Sequence, residues 1–390
     1  MRIAAFLLLA CSLASAQHRA LTAKEIAEGW IDLWDGSTLF GWNPEGGAKW
    51  RISPEGSIVA DAGESGWLRT SATFADFVFE CEYRTGVNGN SGVFLRSAKA
   101  GEPHITGYEL QIWNERPTYW TGSLVNHIQA RRIAPAANQW HRYRVRAEGD
   151  RFVIYIDGKK VAEGRDKKSA AGYIGLQYNK DNKVEFRNIR LQPLGARPLF
   201  NGKDLTGWRE TQPPKPSKEP AVWKAEKGTI HVVHGGGQLE TAGLYDDYIL
   251  QLDVRANATD PKRHPNSGVF NRGEPNSYWT GYEVQIRNEY KAGDRTQPVD
   301  WGTGAIYGRS ATRKVASSDN EYFTMTIVAR GGRFTVWVNG YPATDWEDTR
   351  PPALTRREGT KLAPGTISLQ AHDPTTDLNF RNIRLAPLPK

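Results

Sequence analysis

At 390 residues the chain has room for two or three domains of ordinary size, each large enough to bury a core without disulfide staples. A hydrophobic share of 39%, with 39 glycines and 22 prolines, suits an all-β chain rich in turns. The formal charge of +8 comes from bases scattered among acids, which argues against the clustered basic stripe of a nucleic-acid binder.

The N-terminus carries an export pattern. Arg2 is the positive start, Ile3 to Leu13 the apolar run, and Ala14-Ser15-Ala16 the small-residue cleavage site. Residues 1–16 therefore read as a signal peptide, with the mature chain starting at Gln17 and destined for the periplasm or the exterior. Leu8-Leu9-Ala10-Cys11 resembles a lipobox, but cleavage there would leave a very short signal. No other run approaches the ~20 apolar residues needed to cross a bilayer, so no transmembrane segment is expected. The mature chain would hold one cysteine, Cys81, and no internal disulfide. Thr22 and Glu25 are spaced as a capping box and predict a short lead-in helix.

The next stretch, residues 29–194, forms the first domain. Over Asp76–Arg84, Phe77, Phe79, Cys81 and Tyr83 alternate with Val78, Glu80, Glu82 and Arg84, which predicts a strand with one face in the core and the other in water. Phe152–Ile156 followed by Asp157-Gly158 reads as a hairpin arm and a type I′ turn. A hinge over Gln192–Pro198, stiffened by proline, leads to the second domain, residues 197–388. There the same pattern returns. Tyr248, Leu250, Leu252 and Val254 alternate with Ile249, Gln251, Asp253 and Arg255, and Phe334–Val338 precedes Asn339-Gly340.

The duplication is explicit in three motifs. Asn90-Ser91-Gly92-Val93-Phe94 returns as Asn266-Ser267-Gly268-Val269-Phe270. Thr106-Gly107-Tyr108-Glu109-Leu110-Gln111-Ile112 returns as Thr280-Gly281-Tyr282-Glu283-Val284-Gln285-Ile286. Phe186-Arg187-Asn188-Ile189-Arg190-Leu191 returns as Phe380-Arg381-Asn382-Ile383-Arg384-Leu385. A unit of this length is a whole domain, since solenoid repeats run to only ~20–50 residues. Two tandem β-sandwiches are predicted. The second copy carries longer loops at Gln212–Pro220, Ala258–Pro265, Glu289–Trp301 and Glu347–Pro364.

Strand alternation also places candidate chemistry. Glu283 and Gln285 share one face of their strand, and Phe270 and Arg272 share one face of theirs. If the strands are neighbours, an acid, an amide, a guanidinium and an aromatic meet. The first copy offers Glu109, Gln111, Phe94 and Arg96. The plain alternative is a solvated face with a cross-strand ion pair of a few tenths to ~1 kcal/mol. Trp120-Thr121-Gly122 and Trp301–Gly308, with Tyr307, are Gly-flanked aromatic loops suited to the rim of a sugar site. His372 follows Leu369-Gln370-Ala371, where the first copy has Tyr178. Asp373 and Asp377 flank a loop that could hold a hard divalent cation. His104 and His127 have no counterparts in the second copy.

Taken together, Leu199–Trp208, the Asn-Ser-Gly-Val-Phe and Gly-Tyr-Glu-x-Gln-Ile motifs, Thr303–Gly308, and Leu-Gln-x-His ahead of Phe-Arg-Asn-Ile-Arg-Leu resemble the 3-keto-disaccharide hydrolase domain, twice over. The resemblance implies a concanavalin-A-like jelly-roll in each half and cleavage of glycosides oxidised at C3. For that chemistry the shared strand face offers Glu283 or His372 as the base near C2 and Arg272, Gln285 or a metal at the enolate oxygen, so Glu283, His372 and Arg272 are the expected catalytic residues. Gln285, Trp301, Tyr307, Phe270 and Asn266, with Glu109, Gln111, Arg96 and Trp120 in the first copy, would contact carbohydrate. No cofactor is certain and a divalent metal stays open. The competing expectation is a non-catalytic, lectin-like tandem carbohydrate binder. A third is a protein-interaction module built on the long loops.

Overall fold

A computed structural model describes residues 18–215, 217–260, 262–353 and 357–390. The expected signal peptide and Cys11 lie outside the described residues. Thr22 caps the helix Ala23–Ala27 through a reciprocal box with Glu25. Glu25 also accepts from Arg190 at 2.7 Å, tying the lead-in to the first domain.

Each half is a two-layer antiparallel sandwich. In the second, one layer runs Trp208–Thr211, Gly237–Thr241, Thr366–Ala371, Ser267–Gly273, Tyr282–Ile286. The other layer contains Thr229–Val233, Asp377–Pro387, Tyr248–Ala256, Phe323–Arg330 and Arg333–Val338 in that spatial order. The first half has the same order, but its hairpin Trp42–Ile52/Ile58–Phe74 is unbroken. The long strand Ile58–Phe74 pairs Val184–Pro193 at its start and Gly172–Tyr178 at its end, so it serves both layers. The second copy splits the equivalent strands, with the proline-rich segment before Val222–Glu226 between two of the pieces. Both hairpin turns adopt the predicted left-handed geometry, with φ of 49° and 77° at Asp157-Gly158 and 50° and 76° at Asn339-Gly340.

The alternation over Phe77–Thr85 holds on the inner face, where Phe77, Phe79, Cys81 and Tyr83 are buried. The other face is not in water. Glu80 is buried too, beneath Arg142, Arg144 and Arg190. Gln251 is likewise covered and donates to Gly29 O at 2.9 Å. The cause is packing against the lead-in and between domains. Ile249, Val328, Trp337, Ala386 and Leu388 of the second half join the first half's apolar core. Trp337 Nε1 donates to Asp32 O at 2.8 Å, and Arg313 pairs with Asp35 at 2.8 Å. The Phe-Arg-Asn-Ile-Arg signature serves the fold. Asn188 and Asn382 take φ of 50° and 51° at bulges in the last strand of each copy.

Candidate active site

In the second domain Phe270 lies opposite Glu283, and Gly268 opposite Gln285. The glycine is required: a Cβ there would stand 2.7 Å from Glu283 Cγ. Its absence lets the carboxylate lie flat on the strand pair. Asn266, Tyr278, Trp279, Glu283, Gln285, Tyr307, Gln370 and His372 then line a cavity of about 230 Å³. The alternation thus brings Glu283 and Gln285 together as anticipated.

Arg272 is not with them. It sits at a bulge, with φ of 56°, where the register against Thr366–Ala371 slips. A single left-handed residue reverses the parity of the strand, so the side chain leaves the Phe270 face. It is fully buried among Asp247 at 2.6 Å, Asp246 at 3.4 Å and Ala363 O. Arg96 repeats this at φ of 53°, bonding Ala75 O, Gly149 O and Asp76. Neither arginine can serve a sugar site; both are structural.

The guanidinium that reaches Glu283 belongs to Arg357, which lines a small neighbouring pocket and not the cavity itself. Its Nη1 donates to Glu283 Oε2 at 3.0 Å and its Nη2 to Tyr307 O at 3.1 Å. It lies 4.7 Å from the Trp279 ring and 5.7 Å from Phe270. The loop that carries it is anchored from below. Tyr282 Oη donates to Asp348 at 2.7 Å and accepts from Lys361 N at 2.9 Å. Arg350 clamps both oxygens of Asp348 and donates to Arg357 O at 3.0 Å.

Glu283 is 2% exposed, and burial pushes its pKa up against the pull of Arg357. A carboxylate raised toward neutrality is a competent proton acceptor. His372 Nδ1 lies 2.9 Å from Asp373, and this bond raises the imidazole pKa above its ordinary value. Burial works against Asp373, but hydrogen bonds from His372 and Thr375 hold it well below the usual carboxylate range. With Nδ1 engaged, Nε2 of His372 is left to donate.

Asp300 is a further member. It takes a contact of 3.0 Å from Gln285 Nε2 and a longer one of 3.4 Å from Asn266 Nδ2. Asp300 and Trp301 have φ of 49° and 69°, and Trp279 of 60°. Bulky residues rarely adopt this region, and strain of this kind gathers at ligand sites. Trp279 and Trp301 are 47% and 37% exposed, the large solvent-facing aromatics of the cavity's surroundings. Trp301 stands edge-on to Tyr307 at 6.2 Å, outside the immediate lining. The Oδ1 of Asn266 and the Oε1 of Gln285 and Gln370 are buried without partners among the described residues, ready to accept from hydroxyls.

Other expectations fare differently. Trp120 packs partly against the core beneath Arg132. Asp373 is committed to His372 and Thr375, and Asp377 to His231 and Asn257. Among the described residues no group of three or more His, Cys, Asp or Glu side chains is arranged to hold a metal ion. Nor is any helix there long and apolar enough to cross a membrane.

A model of the 3-keto-alpha-glucoside-1,2-lyase-like domain matches residues 29–192 and again 195–386. The chain belongs to this family. A 133-residue stretch is 28% identical to a 3-keto-disaccharide hydrolase of Bacteroides thetaiotaomicron, covering 31% of this chain and 46% of that protein. The chain thus matches about half the length of that curated relative. A solved structure from Parabacteroides distasonis, provisionally named a glycosyl hydrolase, is 20% identical with a TM-score of 0.41, covering 46% of this chain and all of the other. The carbohydrate-binding module CBM66 of Bacillus subtilis is 21% identical with a TM-score of 0.32, over 40% of this chain and 97% of that one. In the second copy here the acid and the imidazole line one cavity, and the Arg357 guanidinium pairs with the acid at 3.0 Å from beside it. The first copy has no counterpart to Arg357, and the strand registers put Tyr178 at the place of Ala371, so Asn179, not Tyr178 as expected, stands where the second copy has His372.

Proposed function

We propose that the chain is an exported carbohydrate-active enzyme that cleaves 3-keto-glycosides in its second domain by elimination and rehydration. The observation that carries this is the buried Glu283 carboxylate, which lines one cavity with His372 and is paired to Arg357 at 3.0 Å. A ketone at C3 acidifies the hydrogen on C2. Glu283 removes that proton, and the electron pair moves into an enolate whose oxygen Arg357 holds. Collapse of the enolate breaks the C1–O bond, and the departing oxygen takes a proton from His372 Nε2. Water then adds at C1, the C2 proton returns, and a free 3-keto sugar results. Each step asks for a group already present: a base, a positive oxyanion contact and an acid. Trp279, Trp301 and Tyr307 supply faces for the ring or the leaving group. Export is the expectation from residues 1–16 and belongs to the same proposal. It would give a mature mass beginning at Gln17.

The test is to run a 3-keto-disaccharide in deuterium oxide. Solvent deuterium at C2 of the product is expected, and Glu283→Gln should abolish both incorporation and cleavage. Full cleavage with the C2 hydrogen retained would exclude the elimination route.

A further inference from the structure

The first domain has its own cleft at the equivalent place, and it is larger, about 440 Å³. Phe94 lies opposite Glu109 as Phe270 does opposite Glu283. Trp67 lies opposite Gln177 where the second domain has Gln238 opposite Gln370. Trp67 can settle there because residue 175 is glycine; a Cβ would meet its ring at 2.2 Å. Its ring stands edge-on to Phe94 at 5.6 Å, and both line the cleft with Gln177, Tyr178 and His104.

The chemistry differs from the second domain in one decisive respect: the strong donor is gone. The chain passes from Lys159–Arg165 to Gly172–Tyr178 by a short turn, whereas the second domain inserts the Arg357 loop at that point. Glu109 is 8% exposed and carries no ion pair among the described residues. Burial raises its pKa, His104 and Arg116 act on it only through space, and its side-chain bond is with Gln177. Gln177 Oε1 is buried and unpartnered, and Glu45 and Glu102 stand at the rim. Gln111 Nε2, on the same strand as Glu109, is a buried donor without a partner among the described residues and does not line the cleft. A ketone oxygen only accepts, so it suits Arg357. A hydroxyl also donates, so it can be held by Gln177 Oε1 and the rim carboxylates here without a guanidinium; both domains offer acceptors, and only the second adds Arg357. A buried acceptor left without a donor costs free energy that a hydroxylated ligand would recover.

We propose that the first domain is a second carbohydrate site, one that binds the unoxidised form of a neutral glycoside, with C3 as a hydroxyl, and does not cleave it. The missing guanidinium and the asparagine, Asn179, at His372's place remove the oxyanion contact and the acid. Such a site would tether the chain to the glycan from which 3-keto substrates arise and raise their local concentration. The inference does not depend on turnover in the second domain.

The experiment is isothermal titration of the full-length Glu283→Gln chain with maltose and trehalose, then with the corresponding 3-keto sugars. At least one unoxidised disaccharide should bind at one site per chain. Adding Glu109→Gln or, separately, Gln177→Ala should weaken that binding by about tenfold or more, while Arg357→Ala leaves it within about twofold. Unchanged melting temperatures show that the variants are folded, and two variants guard against the failure of one. No heat from either sugar up to about 50 mM would overturn the proposal. So would loss of maltose or trehalose binding on Arg357→Ala, which would place it in the second domain, or indifference to both first-domain substitutions.

Discussion

Arg357→Ala separates a catalytic guanidinium from a mere plug over the acid. The pair it breaks is short, 3.0 Å, and the Glu283 side chain is 3% exposed while that of Arg357 is 17% exposed. At an effective dielectric of ~20 the gross attraction is about 5 kcal/mol, before desolvation is subtracted. Removing one partner of a buried pair commonly costs about 3–5 kcal/mol. In catalysis the comparable loss is of a donor aimed at a developing oxyanion, worth about 10²–10³ in kcat. We therefore expect Arg357→Ala to lower kcat on a 3-keto-disaccharide by about 10²–10³-fold. Arg357→Lys should be intermediate, since a single ammonium cannot reach both Glu283 and Tyr307 O. The pH profile gives an independent check. Arg357 lowers the pKa of Glu283, and the base must be ionised to act. Without the arginine the acid limb of kcat/KM must move to higher pH. In a Glu283→Gln background the arginine substitution should add little, because the two act as a unit. The assay is initial-rate release of the 3-keto monosaccharide across pH. Unaltered kcat with an unmoved acid limb would refute the role, and a rise in kcat/KM would show that Arg357 instead obstructs the site.

Asp373→Asn should move the alkaline limb to lower pH in the same assay. Asp373 raises the His372 pKa, and an imidazole acting as acid is lost once pH passes its pKa. Arg272→Ala should act on stability instead: it leaves Asp247, 2.6 Å away, with only the longer Arg330 pair at 3.9 Å and the Gly331 N–H, beside a buried void, at a cost of about 3–5 kcal/mol. Thermal unfolding would show a large fall in melting temperature, with kcat per folded molecule preserved.

The contrast between those two arginines explains which parts of the site were legible. Duplication was informative for whatever both copies need, and both copies need a fold. Glu283 and Gln285 could be placed because Tyr282–Ile286 is a regular strand, where period-two alternation holds without exception. Arg272 obeys the same count on paper and fails in space, because its left-handed φ shifts the parity by one. The repeated Arg96 carries the same bulge, so repetition marked a buried ion pair and not a ligand contact. Nothing in composition reveals a bulge when the left-handed residue is arginine rather than glycine.

Conversely, Arg357 was hidden because it lies in a segment that only the second copy has, and comparison of copies is blind to insertions. The loop itself was visible as growth over Glu347–Pro364. Its placement against Glu283 was not, because that depends on Tyr282, Asp348 and Arg350 meeting across distant parts of the chain. The outer strand faces misled for a related reason: Glu80 and Gln251 are polar, and the pattern put them in water. Each is buried, one beneath arginines and one against the chain that enters the first domain. In a tandem pair, therefore, shared residues report chiefly on the sandwich. The unshared ones, Arg357 in the second domain and Trp67 in the first, report on what each cleft can hold.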